Sequence, residues 1–250
     1  MATHPYLDVA GPVGFAHRGG AAAAPENTLE AFEAAYEIGY RYLETDAHLT
    51  RDGVVVAFHD TTLDRVTDIR GAIAEHDWAT VARARVEGHG TVPALADLLT
   101  RFPEARLNID AKSDAVLEPL LDLVGEHDAF DRICLGSFSD RRLSRARRIG
   151  GHRLCTSAGP LEVTRHVLRS RRLRIPASRA HALQVPVRIR GVKIVTQRFV
   201  EQAHIDGLAV HVWTIDDVDE MHRLFDLGVD GIMTDLPEVL RDAMSQRGIW

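Results

Sequence analysis

Cysteine, aromatic residues and long apolar runs are all scarce in this chain. It has only two cysteines, Cys134 and Cys155, which rules out a disulfide scaffold, and both lie in apolar segments where a free thiol serves as a small core residue. The longest apolar run, Val54 to Phe58, is far shorter than the about 20 residues of a membrane-spanning helix. No basic and apolar leader precedes Gly11. We therefore expect a cytoplasmic protein with no stable membrane insertion.

Basic residues are unevenly distributed, although the formal net charge of the chain is only −6. Residues 141–190 contain fourteen arginines, no lysine and one acidic residue, Glu162. A block of this kind attracts nucleic acid or an anionic membrane. However, Arg141, Arg145 and Arg148 recur at helical spacing, and no aromatic residues interleave to stack on bases. The pattern favours a solvated helix face and predicts no nucleic-acid partner.

Short apolar or β-branched segments alternate with longer helix-patterned segments from end to end. This alternation is typical of a parallel sheet with crossover helices. Eight predicted strands in 250 residues match the strand count and length of a closed (β/α)8 TIM barrel. No linker or internal repeat divides the chain, so we predict a single α/β domain over residues 1–250. The predicted strands are Val13–Ala16, Tyr40–Ala47, Ala105–Asp110, Arg132–Ser137, His152–Thr156, His181–Val185, Leu208–Thr214 and Gly231–Thr234.

The first crossover helix and the segment after the second strand have distinct signals. Asn27 is a suitable N-cap for a helix over Thr28–Ile38, with Glu30 reaching back to it and Gly39 ending it. Residues 50–104 are rich in turn signals and contain only weak helical patterning. A loop of this length in a compact domain usually has a function. We therefore predict a βα-loop insertion after the second strand that carries or covers the active site.

Several acidic residues with strand spacing occur where an active site is expected. In a (β/α)8 barrel the active site lies at the carboxyl ends of the strands. Glu44 and Asp46 lie two residues apart on the second predicted strand, which places both side chains on one face. Asp110 and Lys112 repeat this spacing at the third strand. Three converging carboxylates repel one another unless a cation lies between them, and an all-oxygen ligand set favours Mg²⁺ or Ca²⁺. A salt-bridged barrel mouth without a metal is the alternative.

Two histidines and two cationic residues complete the set of candidate site residues. His17 follows the first strand and His59 follows the Val54 to Phe58 run. Imidazole titrates near neutral pH, so each ring is a candidate general acid or base, although most of the thirteen histidines must be structural or solvent-exposed. Arg18 and Lys112 add positive charge. Together with three carboxylates and a divalent cation, they leave a small positive charge that suits a phosphodiester.

Taken in order, these motifs resemble the signature of the glycerophosphodiester phosphodiesterase family. The resemblance extends over essentially the whole chain, in several ordered and spaced motifs. The matching strings are His17-Arg18-Gly19, Pro25-Glu26-Asn27-Thr28, Glu44-x-Asp46, Thr50-Arg51-Asp52-Gly53, His59-Asp60, Leu63-Asp64-Arg65-Val66-Thr67, His211-Val212-Trp213-Thr214-Ile215 and the run from Gly228 to Pro237.

The resemblance implies a metal-dependent barrel enzyme that hydrolyses glycerophosphodiesters to sn-glycerol 3-phosphate and an alcohol. One departure is visible, because Asp110 stands where the family usually has a glutamate, which makes this metal ligand one methylene shorter. The implied roles are acid and base catalysis for His17 and His59, phosphate binding for Arg18 and Lys112, a wall beside the glycerol for Trp213, and metal ligation for Glu44, Asp46 and Asp110.

Two other functions compete with this one. A phospholipase D-like activity on lysolipids would need an apolar groove or a membrane-binding loop, yet residues 61–104 offer few aromatics beyond Trp78. A catalytically silent scaffold could bind an anionic partner through the arginine-rich stretch, but the intact histidines and carboxylates argue against it. The alcohol group of the substrate, the identity of the metal and the oligomeric state stay open at this point.

Overall fold

A computed structural model describes residues 4–250 and contains the predicted barrel. Eight parallel strands lie in the order β5-β4-β3-β2-β1-β8-β7-β6, and a parallel bridge between Ser157 and Ala182 joins the two end strands. The (β/α)8 fold is therefore confirmed. The strands are β1 Val13–Ala16, β2 Tyr42–Leu49, β3 Arg106–Ala111, β4 Ile133–Gly136, β5 Cys155–Thr156, β6 Ala182–Pro186, β7 Ala209–Trp213 and β8 Gly231–Thr234.

A helix follows each barrel strand and packs its apolar face on the sheet. The main core consists of buried strand residues and the inward faces of these helices. Within residues 4–250, no helix has the length and apolar character needed to cross a membrane. The helices are α1 Leu29–Glu37, α2 Leu95–Arg101, α3 Leu117–Glu126, α4 Asp140–Gly150, α5 Pro160–Ser170, α6 Gln197–Ile205, α7 Val218–Asp226 and α8 Pro237–Gln246.

Most predicted strands overlap the observed ones within two residues at each end, and β5 is the exception. The prediction began this strand at His152, but Gly151–Arg153 forms a turn of 3₁₀-helix and β5 has only two residues. Cys134 and Cys155 are free and buried, and they lie opposite each other on β4 and β5. Both thiols are thus small core residues, as predicted.

The first crossover helix begins one residue later than predicted and has a different cap. Thr28 precedes α1, and its hydroxyl accepts a hydrogen bond from the backbone of the first turn at 3.3 Å. Asn27 instead has a left-handed backbone, with φ of 56°, and its buried amide donates to Asp46 at 3.4 Å. Asn27 therefore contacts the barrel interior and does not cap α1.

The insertion between β2 and α2 has its own small core, and it ends earlier than predicted. Val55–Ala57, within the apolar Val54 to Phe58 run, pairs antiparallel with the end of β2. The predicted boundary at residue 104 is wrong, because Leu95–Arg101 is the ordinary crossover helix α2, whose two turns are too short for a clear periodic signal. The remaining insertion elements are Ile73–Glu75, Trp78–Val81, Arg85–Val86 and Gly90–Thr91.

Candidate functional site

Three carboxylates from neighbouring strands lie together at the carboxyl ends of β2 and β3. Glu44, Asp46 and Asp110 are each less than a tenth exposed. Asp46 lies directly opposite Asp110 in the parallel register, and Glu44 lies opposite Asn108. Strand alternation puts these side chains on one face, as the spacing in the sequence predicts.

Lys112 lies between two of these carboxylates. Its Nζ is 2.5 Å from Asp46 Oδ1 and 2.9 Å from Asp110 Oδ2. Burial of the ammonium group opposes its charged form, but the charges of Asp46 and Asp110 outweigh burial and raise the pKa of Lys112. The side chain is therefore a permanent cation at neutral pH, and it partly neutralises the acidic cluster.

Among these carboxylates, Glu44 has a strongly raised pKa. Its Oε2 accepts a hydrogen bond from the backbone N–H of Arg18 at 3.1 Å and lies 3.8 Å from His17 Nε2. Burial, and then repulsion from Asp46, raise the pKa of Glu44 to about 7 despite these contacts. The charged form of Glu44 is thus disfavoured by burial and by the neighbouring carboxylate of Asp46.

His17 is held by an aspartate that the sequence interpretation missed. His17 Nδ1 lies 2.7 Å from Oδ1 of Asp235, the residue that directly follows β8. Burial opposes protonation of the ring, but Glu44 and Asp235 outweigh it and raise the pKa of His17. Asp235 therefore orients the ring so that Nε2 faces Glu44. The position of Asp235 at the carboxyl end of a strand was the signal that could have identified it.

Arg18 reaches the carboxylates from a tight turn after β1. The residue has a left-handed backbone, with φ of 54°, and Gly19 follows with φ of 84°. A Cβ on Gly19 would lie 2.8 Å from the backbone nitrogen of Phe32, so the close approach of this turn to α1 requires glycine. The Arg18 guanidinium lies 3.1 Å from Glu26 and 3.7 Å from Asp46. Its positive charge is thus held at the edge of the acidic cluster.

His59 lies on the insertion and is connected to Arg18 through a chain of ion pairs. His59 Nδ1 is 2.6 Å from Asp60 Oδ1, and Arg65 donates to both Asp60 and Glu26 at 2.5 Å. The hydrogen bond from Arg65, followed by the one from His59, lowers the pKa of Asp60 to about 2 against the effect of burial. Glu26 and Arg65 belong to the motif strings, but no role was predicted for them.

Trp213 ends β7 and is half-buried, with a second aromatic residue beside it. Phe138 follows β4, and its ring lies 6.0 Å from that of Trp213 in an edge-to-face arrangement. Phe138 is 70% exposed, which is unusual for an aromatic side chain in a chain with so few of them. The sequence interpretation missed Phe138, since nothing local distinguishes it from a core residue.

The acidic cluster suits a hard divalent cation by the chemistry of its donors. Within residues 4–250, no three His, Cys, Asp or Glu side chains already form a metal cluster, and the cations of Lys112 and Arg18 contact the carboxylates. Asp110 Oδ1, however, is buried with no hydrogen-bond partner, which is costly for a carboxylate oxygen. Oxygen donors with excess negative charge are what Mg²⁺ and Ca²⁺ prefer. The residues present therefore fit such an ion.

Comparison with known proteins identifies the family. Residues 17–239 match the model of the glycerophosphoryl diester phosphodiesterase family. The "Probable glycerophosphodiester phosphodiesterase 2" of Mycobacterium tuberculosis is 39% identical, over 98% of this chain and 95% of that protein.

Two solved structures share the fold at lower identity. One, from Silicibacter pomeroyi, has a TM-score of 0.82 at 23% identity and covers 98% of this chain and 99% of that one. The other is an Oleispira antarctica phosphodiesterase in complex with its product sn-glycerol-3-phosphate, with a TM-score of 0.79 at 22% identity over 94% of this chain and 97% of that one. With its motifs, barrel and acidic mouth, this chain belongs to the glycerophosphoryl diester phosphodiesterase family.

Proposed function

We propose that this protein hydrolyses glycerophosphodiesters to sn-glycerol 3-phosphate and an alcohol, with a divalent cation, Mg²⁺ or Ca²⁺, as its cofactor. The observation that carries the proposal is the pair of aspartate-held histidines, His17 and His59, around a buried acidic cluster with two cations. Family membership and the product complex of the Oleispira antarctica protein support the choice of substrate.

The cationic side chains bind the phosphate. Arg18 and Lys112 are held at fixed positions by carboxylates, so they meet an incoming phosphodiester without a large loss of side-chain entropy. The positive charge of both also stabilises negative charge that develops on the phosphoryl oxygens. Trp213 lies at the same end of the barrel and offers a flat apolar surface to the glycerol carbons.

The two histidines divide the proton transfers. Asp235 and Asp60 hold Nδ1 of His17 and His59, which leaves Nε2 of each ring free to exchange a proton with substrate or water. The raised pKa of His17 favours its protonated form and the role of general acid toward the leaving alcohol. His59 then serves as the base.

Glu44, Asp46 and Asp110 would hold the divalent cation. When bound, such an ion supplies positive charge that stabilises the phosphoryl group as its P–O bond breaks. The unpartnered oxygen of Asp110 supports this ligand set, as does the raised pKa of Glu44, which burial and then the charge of Asp46 cause.

We also propose that the whole chain acts as one domain in the cytoplasm. The free thiols of Cys134 and Cys155 suit a reducing compartment. Lysolipid hydrolysis stays the second candidate activity.

The deciding experiment compares substrates with and without metal. Purified protein is assayed for release of sn-glycerol 3-phosphate from glycerophosphocholine, glycerophosphoethanolamine and glycerophosphoglycerol, and for release of choline from lysophosphatidylcholine. We expect glycerophosphodiester hydrolysis that EDTA abolishes and that Mg²⁺ or Ca²⁺ restores. Full activity of metal-free protein in excess EDTA would refute the cofactor. Faster turnover of the lysolipid than of every glycerophosphodiester would refute the substrate assignment.

A further inference from the structure

The arginine-rich stretch 141–190 divides into an ion-paired part and an unpaired part. Arg141, Arg145 and Arg148 lie on a solvated face of α4, as predicted, and most arginines of this helix are paired with acidic residues. Cations from residue 171 to residue 198 have no ion pair within residues 4–250. The ion-paired side chains are Arg141 and Arg142 with Asp114, Arg145 with Glu118, Arg147 with Glu162 and Arg169 with Asp206.

A small hairpin projects from this unpaired region. Between β6 and α6, Arg188 and Ile189 pair antiparallel with Val192 and Lys193. The two turn residues have φ of 48° and 81°, as in a type I′ turn. Ile189 lies opposite Val192 and Arg188 opposite Lys193, so strand alternation makes one face of the hairpin apolar and the other basic. Ile189 and Val192 are 42% and 51% exposed, so about half of their surface is left in water.

A basic open cavity of about 310 Å³ lies beside this hairpin. Arg171, Lys193 and Arg198 contribute its three cations, and no acidic residue lines it. Glu220, whose charge interacts with Lys193 and Arg188 of the hairpin, already accepts two hydrogen bonds from Arg223. A cavity with these cations and neutral donors matches a phosphate group. The other lining residues are Val167, Ser170, Ile194, Thr196 and Gln197.

We propose that this hairpin and cavity form a docking surface for an anionic phospholipid membrane. The tip residues Ile189 and Val192 enter the interfacial region, while Arg171, Lys193 and Arg198 receive a lipid phosphate. Exposed apolar side chains beside unpaired cations are the combination that binds proteins reversibly to anionic lipid surfaces. Charge complementarity alone would also suit a nucleic acid, but residues 141–190 contain no aromatic side chain to stack on bases.

Docking through the hairpin sets which end of the barrel faces the membrane. The hairpin directly follows the carboxyl end of β6, the same end of the barrel that carries the acidic cluster. Membrane contact through the hairpin therefore turns the barrel mouth toward the lipid surface. The attachment is peripheral, and it does not depend on the proposed hydrolysis.

Vesicle sedimentation tests the proposal, with phosphatidylcholine vesicles that contain or lack phosphatidylglycerol. We expect the full chain to sediment only with the phosphatidylglycerol vesicles. Lys193→Glu with Arg198→Glu should weaken that binding at least about tenfold, since each surface cation contributes roughly a fivefold factor. Ile189→Ser with Val192→Ser should weaken it as well. The charge-matched control is Arg83→Glu with Arg85→Glu, two exposed and unpaired residues of the insertion, and it should bind as the unaltered protein does.

Several results would overturn the proposal. These are no sedimentation with phosphatidylglycerol vesicles, unchanged binding of both hairpin variants, or an equal loss in the Arg83 and Arg85 control. If inorganic phosphate binds in the cavity while the protein does not bind vesicles, the cavity is a site for a free anion instead. If an oligonucleotide binds more tightly than the vesicles do, the surface is a nucleic-acid site. Circular dichroism establishes that each variant is folded.

Discussion

His17 and His59 have the same arrangement although they lie on different elements. An aspartate contacts Nδ1 of each ring, Asp235 for His17 and Asp60 for His59. Such a contact fixes the orientation of the ring and assigns proton transfer to Nε2. The environments of the two rings nevertheless differ, because His17 also faces Glu44 whereas Asp60 is shared with Arg65. This difference supports the proposed division of roles between the two histidines.

Replacement of either histidine should abolish most of the activity. His17→Ala and His59→Ala should each lower kcat by about 10²–10⁴ with the fold intact, since each removes one proton transfer. The exposed His152→Ala is the matched control and should retain activity. With p-nitrophenol as the leaving alcohol, His17→Ala should lose much less activity than His59→Ala, because a good leaving group needs no general acid. Equal large losses on both substrates would contradict the division of roles.

Asp110 is one of the three proposed metal ligands, and its role can be tested by metal binding. Asp110→Asn should weaken the affinity for Mg²⁺ or Ca²⁺ tenfold or more, because a charged ligand with an unpartnered oxygen is removed. Asp110→Glu should keep most of the affinity. Isothermal titration calorimetry measures both, with the surface variant Asp114→Asn as control. An unchanged binding isotherm for Asp110→Asn would exclude this residue from the ligand set.

At the scale of elements, α1 and the insertion position site residues that β1 and β2 do not hold by themselves. Thr28 caps α1, which frees the preceding Asn27 to bind Asp46. The insertion brings His59 and Arg65 toward the barrel mouth, where Arg65 contacts Glu26. A helix start and a loop thus position groups that strand spacing alone does not place.

Loss of the helix cap should cost measurable stability. Thr28→Ala removes the hydroxyl that accepts from the first turn of α1, so the free energy of unfolding should fall by about 1 kcal/mol. Urea denaturation measures the change. Thr100→Ala, on the exposed face of α2, is the matched control and should change stability little, because alanine favours the helix interior. Equal values for the two variants would contradict the capping role of Thr28.

For the whole molecule, burial of polar groups inside the barrel makes stability depend on pH. His211 is 1% exposed, and its ring lies 4.8 Å from that of Phe15. Burial lowers the pKa of His211 to about 4, with Asp230 opposing the effect only in part. The folded protein therefore holds this side chain neutral at pH values where the unfolded chain protonates it.

The contribution of His211 to the free energy of unfolding should decrease as the pH falls from about 6.5 toward 4, whereas the raised pKa of Glu44 contributes in the opposite direction. The unfolded chain binds a proton at His211 first, so the stabilisation is complete above pH 6.5, and a contribution of about 3 kcal/mol is lost across this window. His211→Gln removes this contribution, so the stability of the unaltered protein relative to His211→Gln should fall by about 3 kcal/mol across the window, as measured by urea denaturation of both proteins at several pH values. The exposed His152→Gln should leave the stability curve unchanged. A curve of the same slope for His211→Gln and the unaltered protein would refute the assignment.

The amino-acid sequence by itself determined the fold class and the acidic core of the site. Apolar alternation and strand spacing are local properties, so the eight strands and the shared face of Glu44 and Asp46 follow from neighbours in the chain, whereas the alignment of Asp110 with Asp46 depends on the pairing of β2 with β3. The motif strings identified His17, Arg18 and the other candidate residues by resemblance, without their contacts.

Only the tertiary structure decided which groups hold the candidate residues. Asp235 lies 218 positions from His17 in the chain, and pairing of β1 with β8 brings the two residues together. The capping residue of α1, the exposed ring of Phe138 beside Trp213 and the unpaired cations around the hairpin also depend on packing. Local patterns determine on which face of its own element a side chain lies. Its contact partners depend on closure of the barrel, because closure joins segments that are far apart in the sequence.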